Sequence, residues 1–335
     1  MALDPKASEM LSKGWYGERL SPRDCEYLLT FGDHSSEANL ANSLANRLLH
    51  RACTETGQIC ANIETVTGPC PGNCRFCEYA EGTSSEMFYE MGDSELAGIC
   101  EGLGGFSDVR SIRLTTCAYA DIETVCRQVG IAKDRAKRGT RIYVDTGDLD
   151  LNECRMLKDA GAYGAVHAPR IREGGDTEIT KEVRLATISN LRSAGLQVIT
   201  GVEPIGPEHE NEEIVETFFS TLEMKCAGCE VNPREPVPGT ELNKYGKLKP
   251  SRLTQIRSVL TLASSWYVPP VRTACPGTYV SGSNIAVVKV DKGNYARQIE
   301  AARRKLFNSG YDRLLKVDDS TVELNLMYLR QTGSV

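Results

Sequence analysis

Three cysteines fall within eight consecutive residues, and their spacing restricts what the chain can bind more than any other feature. Cys70, Cys74 and Cys77 form the pattern C-x3-C-x2-C in the segment CPGNCRFC. Three thiolates this close can hold three irons of a [4Fe–4S] cube and leave the fourth iron open to a small molecule. The alternatives are three unrelated thiols or a structural zinc site, but zinc normally takes four ligands. Neither a second cysteine pair nor a histidine lies nearby in the sequence to complete such a site.

Composition restricts the class of protein and of partner. The chain has 335 residues, 41% of them hydrophobic and 25% charged, and its formal net charge is −6. This length allows one domain of barrel size or two smaller ones. A mildly acidic chain lacks the broad positive surface of a nucleic-acid-binding protein, so we expect no nucleic-acid partner. The basic segment 133–141 is interrupted by Asp134 and is typical of a solvated helix end.

Thirteen cysteines are many for a chain of this length, and the sequence indicates that they are reduced. Disulfide-rich secreted proteins are usually short. Residues 1–13 are polar and charged, without the apolar stretch of a secretory signal. No run of about 18 apolar residues occurs, so we expect no membrane span. We therefore predict a cytoplasmic protein whose cysteines are free thiols and cluster ligands.

Strand-like and helix-like segments alternate from residue 58 onwards. Such alternation predicts βαβ units and a parallel sheet. About eight strand segments fit an α/β fold of the (β/α)8 TIM-barrel type better than they fit an open sheet. The predicted strands cover residues 59–64, 109–116, 140–144, 163–167, 196–201, 229–232, 270–274 and 285–290.

The segment before the cysteines has a helical pattern. Pro22 follows Ser21 at a typical helix start, and leucines recur at helical spacing between Glu37 and Arg51. No segment rich in Pro, Gly or Ser divides the chain further on, so we predict a single barrel domain. The predicted segments are an N-terminal helical extension (residues 1–55), the barrel (56–310) and a C-terminal tail (311–335).

The cysteine spacing, with aromatic Phe76 just before Cys77 and Tyr79 just after it, resembles the signature of radical S-adenosylmethionine (SAM) enzymes. The segments LKDAGAYGAVHAP and EVRLATISNLRSAGLQVITGV resemble biotin synthase and its relatives, and this resemblance covers roughly residues 58–290. Those relatives include methylornithine synthase, the [FeFe]-hydrogenase maturase and the [Fe]-hydrogenase cofactor methylase. The resemblance implies a [4Fe–4S] cluster whose open iron binds SAM.

The resemblance also assigns residues to SAM and to the substrate. Arg184 matches the family's arginine that grips the SAM carboxylate, and His167 matches a strand-end residue that faces the SAM ribose. Thr115 and Thr116 stand where many radical SAM proteins carry a Gly-Gly-Glu-like segment, which is a departure from the family pattern. The residues implied to contact SAM are Phe76, Tyr79, Thr115, Thr116, His167, Arg184, Glu203 and Gly206, and those implied to contact the substrate are Asn232 and Arg272.

Several of these residues also have an ordinary structural explanation. Polar side chains at strand ends and on helices often serve packing or loop geometry rather than ligand binding. The alternatives are a core histidine for His167, a surface helix charge for Arg184, a loop cap for Glu203 and half of a buried ion pair for Arg272.

The sequence departs from biotin synthase at its second, [2Fe–2S] cluster. Cys117 lies near one of the matching positions, but Tyr143 and Ile199 occupy two others. We therefore predict that the chain does not make biotin by that mechanism. Cys226 and Cys229 form a C-x2-C pair before a predicted strand, whereas barrel chemistry lies after strands. We predict that this pair consists of buried thiols rather than cluster ligands.

The predicted activity is reductive cleavage of SAM to a 5′-deoxyadenosyl radical, which removes hydrogen from a small-molecule or carrier-bound substrate. Methylation or rearrangement in cofactor or amino-acid biosynthesis is favoured, with flavodoxin or ferredoxin as the implied electron donor. One alternative is sulfur insertion of the lipoyl synthase type, which needs an auxiliary cluster on cysteines such as Cys53 and Cys60. The other is a non-enzymatic iron–sulfur carrier or sensor.

Overall fold

A curled sheet of parallel strands with helices on its outer surface forms the centre of the protein. A computed structural model describes residues 3–53, 55–85, 87–265 and 284–319. The strands are β1 (Thr56–Thr67), β2 (Tyr89–Glu90), β3 (Val109–Thr116), β4 (Arg141–Asp145), β5 (Gly164–Val166), β6 (Gln197–Ile205), β7 (Gly228–Pro233), β8 (Ile285–Lys289) and β9 (Arg313–Leu314).

Helices precede the sheet and connect its strands. They are α1 (Pro5–Trp15), α2 (Pro22–Leu29), α3 (Ser36–Ala52), α4 (Asp93–Gly104), α5 (Ile122–Arg135), α6 (Leu151–Asp159), α7 (Lys181–Ser193), α8 (Asn211–Glu223), α9 (Pro250–Ala263) and α10 (Tyr295–Asn308), with a 3-10 helix at Glu241–Tyr245. None of the helices in the described ranges is both long and apolar enough to cross a bilayer.

Seven strands pair in parallel in the order β8-β1-β3-β4-β5-β6-β7. The strands follow chain order around the curl, as in a (β/α)8 barrel, so the predicted α/β barrel class is confirmed. Over the described ranges β7 and β8 do not pair with each other. The predicted strand at residues 270–274, which includes Arg272, lies outside those ranges.

The two faces of the sheet differ in chemistry. Leu114 is paired in register with Ile63 of β1 and Val144 of β4, and all three side chains are fully buried beneath the outer helices. Successive side chains of a strand point to opposite faces. The neighbours of Leu114, which are Arg113 and Thr115, therefore point into the barrel. Strand β3 thus contributes polar side chains to the interior, while its outer face is apolar.

The N-terminal helices pack on the last part of the barrel. Helix α2 begins with a capping box in which Ser21 and Asp24 satisfy each other's backbone N–H groups, and Pro22 occupies its first turn. Leu11 of α1 and Leu29 of α2 share one apolar core with residues of α8 and α9. This core is separate from the one between the sheet and helices α4 to α7. Strand β9 pairs with the start of β1, and residues 320–335 of the predicted tail lie outside the described ranges.

Candidate active site

The three cysteines of the motif lie on a compact loop after the carboxyl end of β1, which is the end where barrel enzymes carry their chemistry. The Cys70 N–H donates to the Tyr79 carbonyl over 2.6 Å, and the Glu81 N–H donates to the Cys70 carbonyl over 3.1 Å. Between them, the Cys77 N–H donates to the Cys74 carbonyl over 3.0 Å. These bonds fold the segment back on itself and bring the three thiols to one place.

The donor set fits a [4Fe–4S] cluster with one open iron. None of the three thiols is in a disulfide, and each lies within electrostatic reach of the other two. Burial and the neighbouring thiols raise the pKa of Cys74 to about 11, although Arg170 and Arg184 oppose the shift. Metal binding displaces such a proton. Across the described ranges, no three His, Cys, Asp or Glu side chains converge on a single ion. In a [4Fe–4S] cube each cysteine binds a different iron. The three thiolates therefore lie farther apart than they would around a single metal ion.

Hydrogen bonds hold the cysteine loop against the loop that follows β5. The Arg75 N–H donates to the Asp176 carbonyl over 2.9 Å, and the Glu178 N–H donates to the Gly72 carbonyl over 3.0 Å. The Asn73 amide also donates to the Glu178 carboxylate over 3.2 Å. The position of the thiols is therefore set by a segment about a hundred residues away in sequence.

Two predicted SAM contacts lie at the end of β3, beside the cysteine loop. The Thr115 hydroxyl donates to the Asn62 side-chain oxygen over 2.7 Å, and the Thr116 hydroxyl bonds to the Thr146 hydroxyl over 2.8 Å. Cys117 follows directly, and its N–H donates to the carbonyl of Val66 at the end of β1 over 2.8 Å. Both threonines therefore lie at the same end of the barrel as the cysteines.

Asp148, in the loop after β4, joins two residues that the sequence assigns to SAM. Its carboxylate accepts hydrogen bonds from His167 Nε2 at 3.0 Å, Arg184 Nη1 at 2.9 Å and the Thr187 hydroxyl at 3.1 Å. Burial alone would raise the pKa of Asp148, but the bond from His167 and the charge of Arg184 outweigh it and hold the pKa below its ordinary value. The sequence analysis missed Asp148, although an acidic residue just after a predicted strand is a signal for a barrel site.

Arg184 is buried on the inner side of α7. Its side chain is 7% exposed, and its Nε lies 3.5 Å from the Glu173 carboxylate in addition to the bond to Asp148. A surface helix charge is therefore the wrong description of this residue. Two carboxylates fix the direction of the guanidinium, and Arg184 lies within electrostatic reach of Cys74.

Glu203 and Asn232 lie together at the ends of β6 and β7. The Asn232 amide donates to Glu203 over 2.7 Å and to Glu230 over 3.1 Å. Arg170, from the loop after β5, forms an ion pair with Glu203. The structure thus brings a predicted SAM residue and a predicted substrate residue into contact. Glu203 therefore does more than cap a loop.

Gly206 lies in a crowded turn after β6. A Cβ atom at this position would overlap Glu208 and Arg234, which form a buried ion pair with a second contact of 2.8 Å. The Gly206 N–H donates to His209 Nδ1 over 2.9 Å. A side chain at this position would displace that ion pair, and the predicted contact of Gly206 with SAM remains a prediction.

A buried ion pair crosses the barrel below these residues. Arg113 of β3 and Glu230 of β7 bond through their charged groups, and their side chains are 10% and 7% exposed. Asp145, at the end of β4, lies 4.0 Å from Arg113. Burial raises the pKa of Asp145 more than Arg113 and Arg170 lower it. The sequence analysis did not predict the Arg113–Glu230 pair, although the two-residue period of β3 places Arg113 on the inner face.

Comparison with known proteins agrees with this geometry. No family model matches the chain. The biotin synthase of Microcystis aeruginosa is 24% identical over 263 residues, which are 74% of this chain and 70% of that protein. The biotin synthase of Streptomyces avermitilis is 27% identical over 229 residues, which are 65% of this chain and only 55% of that protein.

Solved structures share the fold across nearly the whole chain. Methylornithine synthase (PylB) superimposes with a TM-score of 0.78 at 18% identity, over 93% of this chain and 99% of that one. The [FeFe]-hydrogenase maturase HydG superimposes with a TM-score of 0.79 at 14% identity, over 99% of this chain and 82% of that one. The chain is thus similar in sequence to biotin synthases and shares its fold with methylornithine synthase and HydG. The similarity to biotin synthases supports the predicted [4Fe–4S] cluster and SAM as cofactors.

The other residues singled out in the sequence differ in how they are placed. Phe76 is half-buried on the cysteine loop, and the Tyr79 hydroxyl lies 3.5 Å from the Glu64 carboxylate. Arg272 lies outside the described ranges. Cys226 and Cys229 are both buried at and just before the amino end of β7, and Cys229 accepts a bond from the Thr221 hydroxyl at 3.5 Å. They therefore lie at the opposite end of the sheet from the cysteine loop.

Proposed function

We propose that Cys70, Cys74 and Cys77 hold the [4Fe–4S] cluster, and that this radical SAM enzyme abstracts hydrogen from a small-molecule or carrier-bound substrate inside the barrel. One observation carries the proposal, which is the placement of three disulfide-free thiols on a single compact loop at the carboxyl end of β1. The thiols lie at the same end of the barrel as the polar side chains of Thr115, Glu203 and Asn232.

The cofactors supply the chemistry, and the chain supplies placement. When bound and reduced, the cluster supplies the electron that cleaves SAM to methionine and the 5′-deoxyadenosyl radical. Arg184, fixed by Asp148 and Glu173, offers its guanidinium to the SAM carboxylate. His167 donates from Nε2 to Asp148, so Nδ1 is the ring nitrogen that is left to bond a ribose hydroxyl.

The reaction that we favour after hydrogen removal is methylation or rearrangement, in cofactor or amino-acid biosynthesis. Support comes from the fold shared with methylornithine synthase and from the lack of second-cluster ligands at Tyr143 and Ile199. We propose flavodoxin or ferredoxin as the class of electron donor, because a cluster that cleaves SAM must be reduced one electron at a time.

Replacement of each motif cysteine by alanine tests the proposal. The expected result for Cys70→Ala, Cys74→Ala and Cys77→Ala is loss of the visible iron–sulfur absorption and of 5′-deoxyadenosine formation from SAM under reducing conditions. Cys126→Ala is the matched control, because Cys126 is a half-buried thiol on the outer helix α5. A triple variant that still cleaves SAM after reconstitution with iron and sulfide would show that the cluster assignment is wrong.

The same measurements distinguish the enzyme from an iron–sulfur carrier. A carrier would bind the cluster but would form no 5′-deoxyadenosine when reduced with SAM present. It would also gain nothing from a buried arginine and histidine on one carboxylate. SAM cleavage by the reduced wild-type protein, together with a cluster signal that changes when SAM is added, is the expected result.

A further inference from the structure

A positive charge lies beside the cysteine loop, on Arg170 of the loop that follows β5. The guanidinium is within electrostatic reach of both Cys74 and Cys77. The same loop is hydrogen-bonded to the cysteine loop through Asp176 and Glu178. These bonds hold the backbone near Arg170 at a set position relative to the thiols.

Two acids hold Arg170 itself in place. Its backbone N–H donates to Glu173 Oε2 over 2.5 Å, and its guanidinium forms an ion pair with Glu203 at the end of β6. Glu173 is in turn held by Arg184, whose Nε lies 3.5 Å from that carboxylate. The Arg170 side chain is 28% exposed, so water and salt screen its charge less than they screen a surface arginine. Arg170 is therefore a fixed, partly buried cation.

A hydrogen bond to sulfur lies in the same place. The Tyr79 N–H donates to Cys77 Sγ over 3.4 Å, and the thiols of Cys74 and Cys77 are both half-buried. Hydrogen bonds to the ligand sulfurs, net charge and solvent exposure set the reduction potential of an iron–sulfur cluster. A donor to sulfur and a nearby cation both favour the reduced cluster, because that form is the more negative one.

The carboxylate of Glu203 does not cancel the charge of Arg170 at every point nearby. Coulomb energy falls with distance, so each member of an ion pair dominates on its own side. The pair runs from the loop after β5 to the end of β6, and the loop after β5 is hydrogen-bonded to the cysteine loop. The positive charge is therefore expected to dominate at the cysteines.

We propose that the charge of Arg170 raises the reduction potential of the cluster and so favours its reduction by one electron. This inference rests on the proposed function, because it takes the cluster on Cys70, Cys74 and Cys77 as given. On reduction the cluster gains one electron and one unit of negative charge, and a donor protein of the flavodoxin or ferredoxin class is oxidised by one electron. A fixed cation lowers the free-energy cost of the added charge.

A redox titration of the anaerobically reconstituted protein without SAM, followed by the electron paramagnetic resonance of the reduced cluster, tests this inference. Arg170→Gln should lower the equilibrium constant for reduction roughly tenfold, which is about 59 mV for a one-electron couple. Arg170→Lys keeps the charge and should lie closer to the wild type. Arg172→Gln is the matched control, because it removes the same charge from the same loop, where Arg172 is bonded to Glu213 of α8. Equal potentials of Arg170→Gln and the wild type would overturn the inference.

A double variant separates the position of the charge from the net charge. Arg170→Gln/Glu203→Gln leaves the net charge of the chain unchanged and leaves neither member of the pair alone. Its potential should also lie below that of the wild type, because the cation is the nearer charge. A wild-type potential in the double variant would show that the pair acts on the cluster as a neutral unit, and the inference would be wrong. The double variant also decides the question if Arg170→Gln, in which Glu203 lacks its cation, does not retain iron.

Failure of the proposed function is distinguishable from failure of this inference. A wild type that binds no iron–sulfur cluster after reconstitution would refute both. A wild type that binds the cluster but forms no 5′-deoxyadenosine would refute the proposed activity alone, and the potentials of the variants would still decide the inference. A wild type that cleaves SAM, with the same potential as Arg170→Gln, would refute the inference alone.

Discussion

His167 donates a hydrogen bond from Nε2 to the Asp148 carboxylate over 3.0 Å. A carboxylate only accepts, so this contact places the ring proton on Nε2. The same carboxylate receives Arg184, whose guanidinium is directed by Glu173 as well. Asp148 therefore positions two residues that are predicted to bind SAM, although it need not touch SAM itself.

Asp148→Asn should weaken SAM binding roughly tenfold, because the amide keeps the shape of the carboxylate but loses one charge-assisted contact. Iron content should stay unchanged, since Asp148 holds no cysteine. Equilibrium binding of SAM to the reconstituted protein measures the effect. Asp159→Asn, on the exposed end of α6, should bind SAM like the wild type. Equal SAM affinities of Asp148→Asn and the wild type would show that Asp148 does not contribute to SAM binding.

Acid should destabilise the wild type more than Asp148→Asn. The pKa of Asp148 is held below its ordinary value, so its stabilising contribution is fully present above the unfolded pKa of about 3.9. This contribution is lost as the pH falls through the lower, folded pKa. Urea unfolding of the cluster-free protein at pH 6 and at successively lower pH measures the difference. Parallel pH profiles for both proteins would contradict the assignment.

Arg184→Ala should weaken SAM binding roughly ten- to a hundred-fold without loss of iron. It should also lower the free energy of unfolding by roughly 3–5 kcal/mol, because Asp148 and Glu173 would lose a buried cation. Arg192→Ala is the control on the same helix, where the side chain is exposed and the expected change is within about 0.5 kcal/mol. Unchanged SAM affinity in Arg184→Ala would show that this arginine only stabilises the fold.

The Arg113–Glu230 pair should behave as one unit. Arg113→Met and Glu230→Leu should each cost roughly 3–5 kcal/mol, because each leaves a buried charge alone. The double variant should recover part of that loss, since neither member of the pair remains alone, while Asp145 still loses its charged neighbour at 4.0 Å. Denaturant unfolding of the four proteins gives the coupling energy. Additive losses would show that the two charges do not depend on each other.

The pair Cys226 and Cys229 should prove unrelated to cluster chemistry. The Cys226→Ser/Cys229→Ser protein should keep about four irons per chain, the number in one [4Fe–4S] cluster, and should still cleave SAM. Iron analysis of anaerobically reconstituted protein checks the count. A wild type with about eight irons that falls to four in the variant would revive an auxiliary cluster and sulfur insertion.

Sequence patterns predicted the elements whose signals are local. The strand predicted at residues 109–116 has those bounds in β3, and the start of α2 at Ser21 has the predicted cap. The barrel class followed from the order of such elements. Strand β2 was not predicted, because its two residues are both exposed and carry no apolar pattern. Its position depends on pairing with the end of β1.

Site residues could be predicted from the sequence only where they lie together in one short segment. Cys70, Cys74 and Cys77 are visible as a motif because all three ligands lie on one loop. The contact between Arg113 and Glu230 joins residues 117 positions apart, and no spacing rule marks it. Arg184 was left between a SAM ligand and a surface charge, because helical position alone does not give burial. The structure excludes the surface position, since two acids enclose this side chain.

The hydrogen bonds that hold the cysteine loop to distant segments affect when the cluster can be inserted. The Arg75 carbonyl accepts a hydrogen bond from the Leu242 N–H at 3.1 Å. The N–H of Arg75 donates to the Asp176 carbonyl. During synthesis the motif leaves the ribosome long before either of these partners. The ligand loop can therefore reach its final shape only after most of the chain has been translated. We expect iron to be inserted into an already assembled scaffold, so the cluster is a late addition rather than a nucleus for folding.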